Sequence, residues 1–428
     1  MKRPTVVRLS ALTIGLLSMA AAQGKVTTIE YWHINTESFG GPAVRDLIKT
    51  FEAKNPSIKV QERFHQNAYT GLLQNLQAAL AAGTPPDVAQ VGYLYTNYVA
   101  ENFPFVPTTK LAQQFDGAAF LKRFPANVLA LGQSGDAQVG MPYSLSNIVT
   151  YFNADLLRQA GLDPAKPPKT WDEWRAAAQA IKTKTGKYGI YLQLLDDNWA
   201  TEALVASNGG ALLSCKGGTY QAAFASSQAA KALQFWADLV KDGLALNTLW
   251  TQGEQAFLAG ESATFITTIG KRASLQSSAK FDLRGTTFPS FGTQKTSLPG
   301  GGNILVVFSK DRAKQEAAWK FTQFLTSNEG FTAWTKGTGY VPLVDKLDQD
   351  PRYLADFVKS NPIQRVGIQQ LPNTMRWTSF PGANGLAASQ ALFKAVQRSL
   401  GGQASAQAAL SAAAQEVNGL VKNEKCKP

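Results

Sequence analysis

Residue types that carry catalysis are few in this chain, and their spacing does not assemble a catalytic site. The two histidines, His33 and His65, lack the spacing of zinc ligands. Asp196 and Asp197 are adjacent at the predicted start of a helix, so their side chains diverge, whereas glycoside hydrolysis needs two carboxyl groups that face one bond. The sequence contains neither a Gly-x-Ser-x-Gly elbow nor a phosphate-binding P-loop. We therefore expect no enzyme, no metal site and no cofactor.

Aromatic residues that follow predicted strands indicate a binding site for a small molecule instead. Residues 26–32 form a β-branched, alternating strand, residues 40–53 carry a helical apolar stripe, and residues 58–60 and 88–91 form two more strands. This order predicts parallel strands joined by right-handed crossovers. Ligands of open α/β sheets bind beyond the carboxyl ends of the strands. The first candidate contacts are Trp32, His33, Tyr93 and Tyr95.

A glycine-rich turn in front of an apolar run predicts another part of the site. Residues 299–303 read Pro-Gly-Gly-Gly-Asn and precede a buried strand and then a helix that begins near Arg312. Glycine lets the bare backbone approach a bound molecule closely. Gly301, Gly302 and Asn303 are therefore candidate contacts.

Trp199 follows the acidic pair and has two interpretations. At the start of a helix that faces a cleft, its flat ring could stack on the C–H surface of a sugar. Packed inward, it is an ordinary core residue. Trp171 and Trp174 lie in a helix that opens with a capping box at Thr170, and we predict that both belong to the core.

Length and the N-terminal segment bound the architecture and the location of the protein. A chain of 428 residues exceeds the size at which one core keeps growing, so we expect two lobes. Basic residues precede a short apolar run that ends in Ala20-Ala21-Ala22, which is typical of a secretory signal peptide over residues 1–22. We therefore expect a mature chain that begins near Gln23 and resides in the periplasm or cell envelope.

Charge and cysteine content add two further expectations. The formal net charge is +12, but the basic residues are scattered, which indicates a solvated basic surface and no nucleic-acid partner. Cys215 and Cys426 belong to a compartment in which disulfides persist, but their spacing leaves open whether they are bonded.

Several segments carry a family resemblance. They are Pro86-Asp87-Val88, the capping block over residues 161–174, Gly301-Gly302, and Thr-Gly-Tyr-Val-Pro at residues 338–342. Across almost its whole length the chain resembles the extracellular solute-binding proteins of ABC importers, in the group that carries sugars and glycerol phosphate. The resemblance implies an α/β clamshell of two lobes, each a sheet flanked by helices, with three crossover segments. It implies an N-terminal lobe of residues 23–146 and 300–337, and a C-terminal lobe of residues 147–299 and 338–428.

The resemblance also implies further ligand contacts. Its matching or nearly matching positions are Tyr69, Ser146, Thr268, Gly302 and Tyr340. Ser144 lies with Ser146 at the implied hinge, and Trp377 adds an aromatic ring. Two departures argue against glycerol phosphate, because Tyr93 stands where relatives place a glutamate and a small residue, near Ala387, stands where they place an arginine. Arg376 or Lys271 could supply the missing cation.

We expect a monomer that closes around a small polar ligand and delivers it to membrane permease subunits. The aromatic residues favour a mono- to oligosaccharide. Glycerol-3-phosphate or a glycerophosphodiester is the alternative ligand class. A third possibility is a clamshell sensor that is not coupled to transport.

Overall fold

A computed structural model describes Met1, residues 26–115 and residues 119–426 of the chain. The predicted signal peptide and its cleavage region lie outside these described residues. No helix in the described part of the chain is both long enough and apolar enough to cross a membrane.

Fourteen strands are present in the described residues. They are β1 (Thr27–His33), β2 (Ile58–Phe64), β3 (Val88–Gly92), β4 (Gln133–Ser134), β5 (Ala137–Gln138), β6 (Met141–Ser146), β7 (Ile148–Asn153), β8 (Leu213–Lys216), β9 (Thr219–Ala222), β10 (Thr264–Thr268), β11 (Leu283–Thr287), β12 (Leu298–Pro299), β13 (Gly301–Val307) and β14 (Thr374–Met375).

Seventeen α-helices occur in the same described ranges. They are α1 (Gly41–Lys54), α2 (Ala68–Ala81), α3 (Thr96–Asn102), α4 (Thr108–Phe115), α5 (Ala126–Leu129), α6 (Ala154–Gln159), α7 (Trp171–Thr185), α8 (Trp199–Ser207), α9 (Ser227–Lys241), α10 (Trp250–Leu258), α11 (Arg272–Ser278), α12 (Arg312–Leu325), α13 (Asn328–Gly337), α14 (Ala355–Ser360), α15 (Pro362–Gln369), α16 (Gly385–Leu400) and α17 (Ala406–Val421).

Two main sheets organise the molecule. The first lobe is built on a five-stranded sheet of order β2-β1-β3-β13-β6, in which β1 runs parallel to β2 and β3 while β13 runs antiparallel to β3 and β6. The second lobe is built on the antiparallel sheet β10-β7-β11. The parallel β1–α1–β2 unit has the predicted order of strand, helix and strand. The apolar residues of α1 are buried, as the predicted stripe requires.

The chain passes between the two sheets at short segments. Asn147 alone separates β6 of the first sheet from β7 of the second, and Gly300 alone separates β13 of the first sheet from β12, which pairs with β14 and contributes Leu298 to the second-lobe core. The hydrophobic core around the first sheet includes residues as far along the chain as Leu354. Val341 pairs with Leu145 of β6, and this backbone contact holds the segment on the first lobe.

The core of the second lobe confirms several local predictions. Trp171 and Trp174 are fully buried in it. The capping box that opens α7 is present, since the Glu173 amide donates to Thr170 Oγ1 at 3.2 Å and the Thr170 amide donates to Glu173 Oε2 at 3.0 Å. These bonds satisfy two backbone donors at the helix start, so α7 begins where the sequence predicts it.

A disulfide bond between Cys215 and Cys426 resolves the pairing that spacing left open. It ties the segment after α17 to β8, and Thr219 and Lys425 pair beside it. The C-terminal end of the described chain is thereby fixed to the second lobe.

Candidate ligand-binding site

Tyr69 is the centre of a polar cluster on the first lobe, where the two lobes meet. It lies at the start of α2, and its ring covers Gly92 so closely that a Cβ atom on that glycine would stand 2.8 Å away. Asn303 Nδ2 donates to the Tyr69 hydroxyl at 2.9 Å. Because this oxygen acts as an acceptor in that bond, the proton of Tyr69 remains available to a further acceptor.

Sheet register explains why residues so distant in sequence meet here. Asn303 of β13 pairs with Gly92 of β3 on one side and with Ser144 of β6 on the other. Gly302 has a φ of 125°, and a Cβ atom there would stand 2.0 Å from the Ser144 carbonyl oxygen. Only glycine fits this position without moving the neighbouring strand.

A stack of aromatic rings fixes Tyr340. The Trp334 ring lies parallel to it at 5.5 Å, and Tyr143 stacks on the other side of Trp334 at 5.0 Å. Trp334 Nε1 donates to Ser144 Oγ at 3.1 Å. The predicted contact Ser144 therefore anchors this stack within the core.

Two buried polar atoms beside Tyr69 have no hydrogen-bond partner among the described residues. They are the hydroxyl of Tyr93 and the Oδ1 atom of Asn303, whose side chains are 3% and 1% exposed. An unpaired polar atom in such a place costs about 1–3 kcal/mol. Burial, together with the field of Tyr69, raises the pKa of Tyr93, so its hydroxyl is neutral and can both donate and accept.

The second lobe faces this cluster with an acidic pair at the start of α8. Asp197 Oδ1 accepts from the Trp199 amide at 2.8 Å, and Asp196 Oδ2 accepts from the Trp250 amide at 2.9 Å. Burial, opposed by the Trp199 amide and reinforced by Asp196, raises the pKa of Asp197 to about 7. Burial raises the pKa of the rim residue Asp196 to about 6.

The electrostatic field of Asp197 reaches the first lobe. Burial is the main cause that raises the pKa of Tyr69 to about 12, and the Asp197 charge adds to it. Tyr95 behaves in the same way, although its hydrogen bond with Thr70, 2.8 Å long, opposes the increase. The charge of Asp197 in the second lobe therefore influences the ionisation of Tyr69 and Tyr95 in the first.

A second contact between the lobes lies around Lys271. Its ammonium group pairs with Glu254 and donates to the carbonyl oxygen of Ser38 at 2.7 Å. Phe39 and Trp250 pack their rings at 5.2 Å beside it. Lys271 is 0% exposed, so its charge is neutralised locally.

Thr268 and the glycine after it carry β10 up to Tyr340. The Gly270 amide donates to Thr268 Oγ1 at 3.0 Å, and a Cβ atom on Gly270 would stand 3.0 Å from the Tyr340 ring. The predicted contact Thr268 thus turns the backbone of the second lobe toward Tyr340.

Trp32 and His33 are not brought to this cluster, contrary to our prediction. Trp32 Nε1 donates to Glu30 at 2.7 Å, and its ring lies 4.1 Å from that of His65. His33 Nε2 contacts Glu62 at 3.2 Å on the edge strand, and burial lowers the pKa of His33 to about 4. Both side chains lie along the β1–β2 edge of the sheet, away from β13.

A cavity of about 530 Å³ lies beside Trp32, Phe64, His65 and Asn75. Its lining comes from β1, β2, the following loop and α2, all of the first lobe. It is therefore separate from the contact between the lobes.

The remaining predicted contacts have structural partners. Trp199 donates from Nε1 to the Pro299 carbonyl at 2.7 Å and packs against Gly301, where a Cβ atom would meet its ring at 2.6 Å. Trp377 lies 6.1 Å from the Trp199 ring in the core of the second lobe. Ser146 is buried at the same passage, and its Oγ would stand 2.8 Å from the same Cβ atom on Gly301. Of the two interpretations of Trp199, these contacts match the core residue.

Arg376 and Lys271 do not replace the missing cation of a phosphate site. The guanidinium of Arg376 donates to the Gln133 carbonyl at 2.8 Å and to Asn97 at 3.3 Å, on the exposed surface. Lys271 is engaged by Glu254 and Ser38. The tyrosine cluster therefore has aromatic and neutral polar groups and one facing carboxylate.

Sequence reasoning missed several residues at the contact between the lobes. Trp250 Nε1 donates to Thr267 Oγ1 at 2.9 Å, and that hydroxyl donates to Gln193 Oε1 at 2.7 Å. Phe39 lies in a loop, where the sequence has no hydrophobic periodicity that could indicate which way a side chain points. Trp250 is the first residue of its helix, and the apolar stripe of that helix does not indicate which way this first side chain points. The one available signal was the acidic pair, because carboxylates at a helix start after a strand often accept from ligands or backbone amides.

Known proteins resemble this chain in sequence over most of its length. The family model for bacterial extracellular solute-binding proteins matches residues 46–363. The sn-glycerol-3-phosphate-binding periplasmic protein UgpB of Escherichia coli K12 is 27% identical over 394 residues, which cover 87% of this chain and 86% of that protein.

Solved structures share the fold. The acarbose-binding GacH receptor of Streptomyces glaucescens has a TM-score of 0.81 at 19% identity and covers 94% of this chain and 100% of its own. UgpB of Mycobacterium tuberculosis, in complex with glycerophosphocholine, has a TM-score of 0.80 at 20% identity, with 93% and 99% covered. The predicted two-lobe α/β fold is confirmed by these similarities.

Proposed function

Because the chain belongs to the bacterial extracellular solute-binding protein family, we propose that it is the substrate-binding component of an ABC importer that captures a sugar between its lobes. The family and the relatives described above are binding proteins. We propose likewise that this chain releases its ligand unaltered to membrane permease subunits and acts as a monomer.

The observation that carries this proposal is the set of polar atoms around Tyr69. The hydroxyl proton of Tyr69, the hydroxyl of Tyr93 and Oδ1 of Asn303 are available to a ligand beside the ring of Tyr340. Sugar hydroxyls both donate and accept, and the C–H face of a sugar ring packs on aromatic rings. A mono- to oligosaccharide satisfies both requirements.

Closure of the lobes would complete the site. Lys271 of the second lobe bonds Ser38 of the first, and Arg272 donates to the Thr335 carbonyl at 2.8 Å. A ligand that contacts both lobes favours the closed arrangement. It can shift the equilibrium between open and closed protein only by as much as its affinities for the open and closed states differ. The closed shape then offers one surface to the permease.

Glycerol-3-phosphate or a glycerophosphodiester is the second candidate, and the similarity to the E. coli binding protein over 87% of the chain favours it. A buried phosphate dianion needs a guanidinium group or a helix N-terminus. Arg376 and Lys271 are both engaged elsewhere. The site geometry therefore favours the sugar.

Export is part of the same proposal. The family comprises extracellular proteins, and the leader at residues 1–22 would carry the chain to the periplasm or cell envelope. Retention of the disulfide between Cys215 and Cys426 fits that compartment.

A thermal-shift screen of the mature chain tests the proposal, since a ligand that binds only the folded state raises the melting temperature. The panel contains glucose, maltose, maltotriose, trehalose, sucrose, glycerol-3-phosphate, glycerophosphocholine and choline. We expect at least one neutral sugar to raise the melting temperature in a concentration-dependent way. A response to phosphate esters alone would establish the second candidate in place of the sugar.

A further inference from the structure

Asp197 presents one carboxylate oxygen to the contact between the lobes. Its Oδ1 accepts from the Trp199 amide at 2.8 Å, whereas its Oδ2 has no hydrogen-bond partner within the described residues. Trp199, two residues further along, donates to the Pro299 carbonyl at 2.7 Å and packs against Gly301, so the start of α8 lies beside the first residues of β13, where Asn303 belongs to the tyrosine cluster. One acceptor therefore faces the cluster from the second lobe.

The hydrogen-bond inventory of the site defines the ligand that fits it. Oδ2 of Asp197 and Oδ1 of Asn303 are acceptors, so the ligand must donate to both. The Tyr69 hydroxyl offers a proton, and the Tyr93 hydroxyl serves in either direction. A molecule with several neighbouring hydroxyl groups matches all four atoms.

We propose that Asp197 is a ligand-binding residue that makes the site selective for neutral polyhydroxylated molecules over anions, while the unpaired polar atoms of Tyr93 and Asn303 select against quaternary ammonium ions. This inference rests on the proposed function. A phosphate dianion only accepts hydrogen bonds, and the Asp197 carboxylate repels it. A trimethylammonium group forms no conventional hydrogen bond, so it would leave the Tyr93 hydroxyl and Oδ1 of Asn303 unpaired.

A purely structural role for Asp197 makes a different prediction. As a turn residue it would need only the oxygen that accepts from the Trp199 amide, and the amide oxygen of asparagine provides the same acceptor. Asp197→Asn therefore keeps the helix start while it removes the negative charge and converts the free oxygen into an amide donor.

Isothermal titration calorimetry on the mature chain distinguishes the two roles. The wild type, Asp197→Asn and the control Asp136→Asn are each titrated at pH 8 with the neutral sugar that most raises the melting temperature, and with glycerol-3-phosphate and choline. Asp136 is an exposed residue in the turn between β4 and β5. Melting temperatures without ligand verify that the three proteins are folded alike.

We expect Asp197→Asn to weaken sugar binding about tenfold or more, because a hydrogen bond to a charged group is lost, and to strengthen glycerol-3-phosphate binding relative to the wild type. The control should bind like the wild type. Unchanged sugar affinity in Asp197→Asn overturns the inference but leaves the proposed function standing. Wild-type binding of only glycerol-3-phosphate or choline, or of no compound, overturns both the inference and the proposed sugar ligand.

Discussion

The ammonium group of Lys271 in the second lobe donates to the carbonyl oxygen of Ser38 in the first at 2.7 Å, while it pairs with Glu254 of its own lobe. The lysine is fully buried. A charge in such a position needs both partners, so closure and the stability of the second lobe are linked through one side chain.

Lys271→Met should destabilise the folded chain by about 3 kcal/mol, because it leaves Glu254 buried without its cation. Chemical denaturation measures the loss. The double variant Lys271→Met with Glu254→Gln should recover most of this stability while still lacking the bond to Ser38, so its sugar affinity should remain below that of the wild type. Wild-type affinity in the folded double variant would show that this bond does not assist closure.

Replacement of Tyr340 separates its ring from its hydroxyl. Tyr340→Phe keeps the stack on Trp334 but removes the hydroxyl that could bond a ligand, and it should weaken sugar binding by about 1 kcal/mol. Tyr340→Ala removes the ring as well and should cost about 1–3 kcal/mol. Calorimetric titration provides both values, and equal affinity of all three proteins would exclude Tyr340 from the site.

Glu202 predicts a particular dependence of stability on pH. It is 1% exposed, it bonds Thr378, and burial raises its pKa to about 7. Between its ordinary pKa of 4.5 and about 7, the folded state binds more protons than the unfolded state. The stability contributed by this group is therefore present below pH 4.5 and is lost as the pH rises through 7.

Glu202→Gln should remove that loss, which is on the order of 3 kcal/mol. The free energy of unfolding of the wild type and the variant, compared at pH 5 and pH 8, measures the effect. The variant should gain stability relative to the wild type at pH 8. A difference between the two proteins that does not change with pH would mean that Glu202 does not titrate as its burial indicates.

Gly302→Ala should disrupt the strand β13, since its Cβ atom would stand 2.0 Å from the Ser144 carbonyl oxygen at a φ of 125°. We expect a melting temperature lower by many degrees or no folded protein. Gly83→Ala is the matched control, because Gly83 also has a positive φ, of 74°, but a Cβ atom there would meet nothing within 4 Å. It should cost only about 1 kcal/mol. Equal stability of the two variants would contradict the close approach at Gly302.

Local rules predicted the framework of the fold well. The capping box at Thr170 and the apolar stripe of α1 depend on residues near one another in sequence, and both form as predicted. The predicted glycine-rich turn lies largely within β13, because Gly301 and Gly302 pair with β6, and the close backbone approach there requires glycine. The capping box and the apolar stripe could be inferred because each is determined within a few turns of chain, and the close approach could be inferred because it requires glycine.

The site was harder to predict because it depends on register and side-chain direction. Trp32 follows the sheet rule for a strand end, but its side chain lies against His65 at the sheet edge. Ser144 was predicted as a ligand contact, yet its hydroxyl accepts from Trp334, 190 residues away. Asp197 became a candidate only when the fold placed the start of α8 beside Pro299 and Gly301. Such pairings across the chain leave no local pattern.

The most direct test is a crystal structure of the mature chain with the neutral sugar that most raises its melting temperature. We predict an intact sugar between the lobes, with hydroxyl groups within hydrogen-bond distance of Asn303 Oδ1, the Tyr93 hydroxyl and Asp197. A sugar bound instead in the cavity beside Trp32 and Phe64, or a cleaved sugar between the lobes, would contradict it.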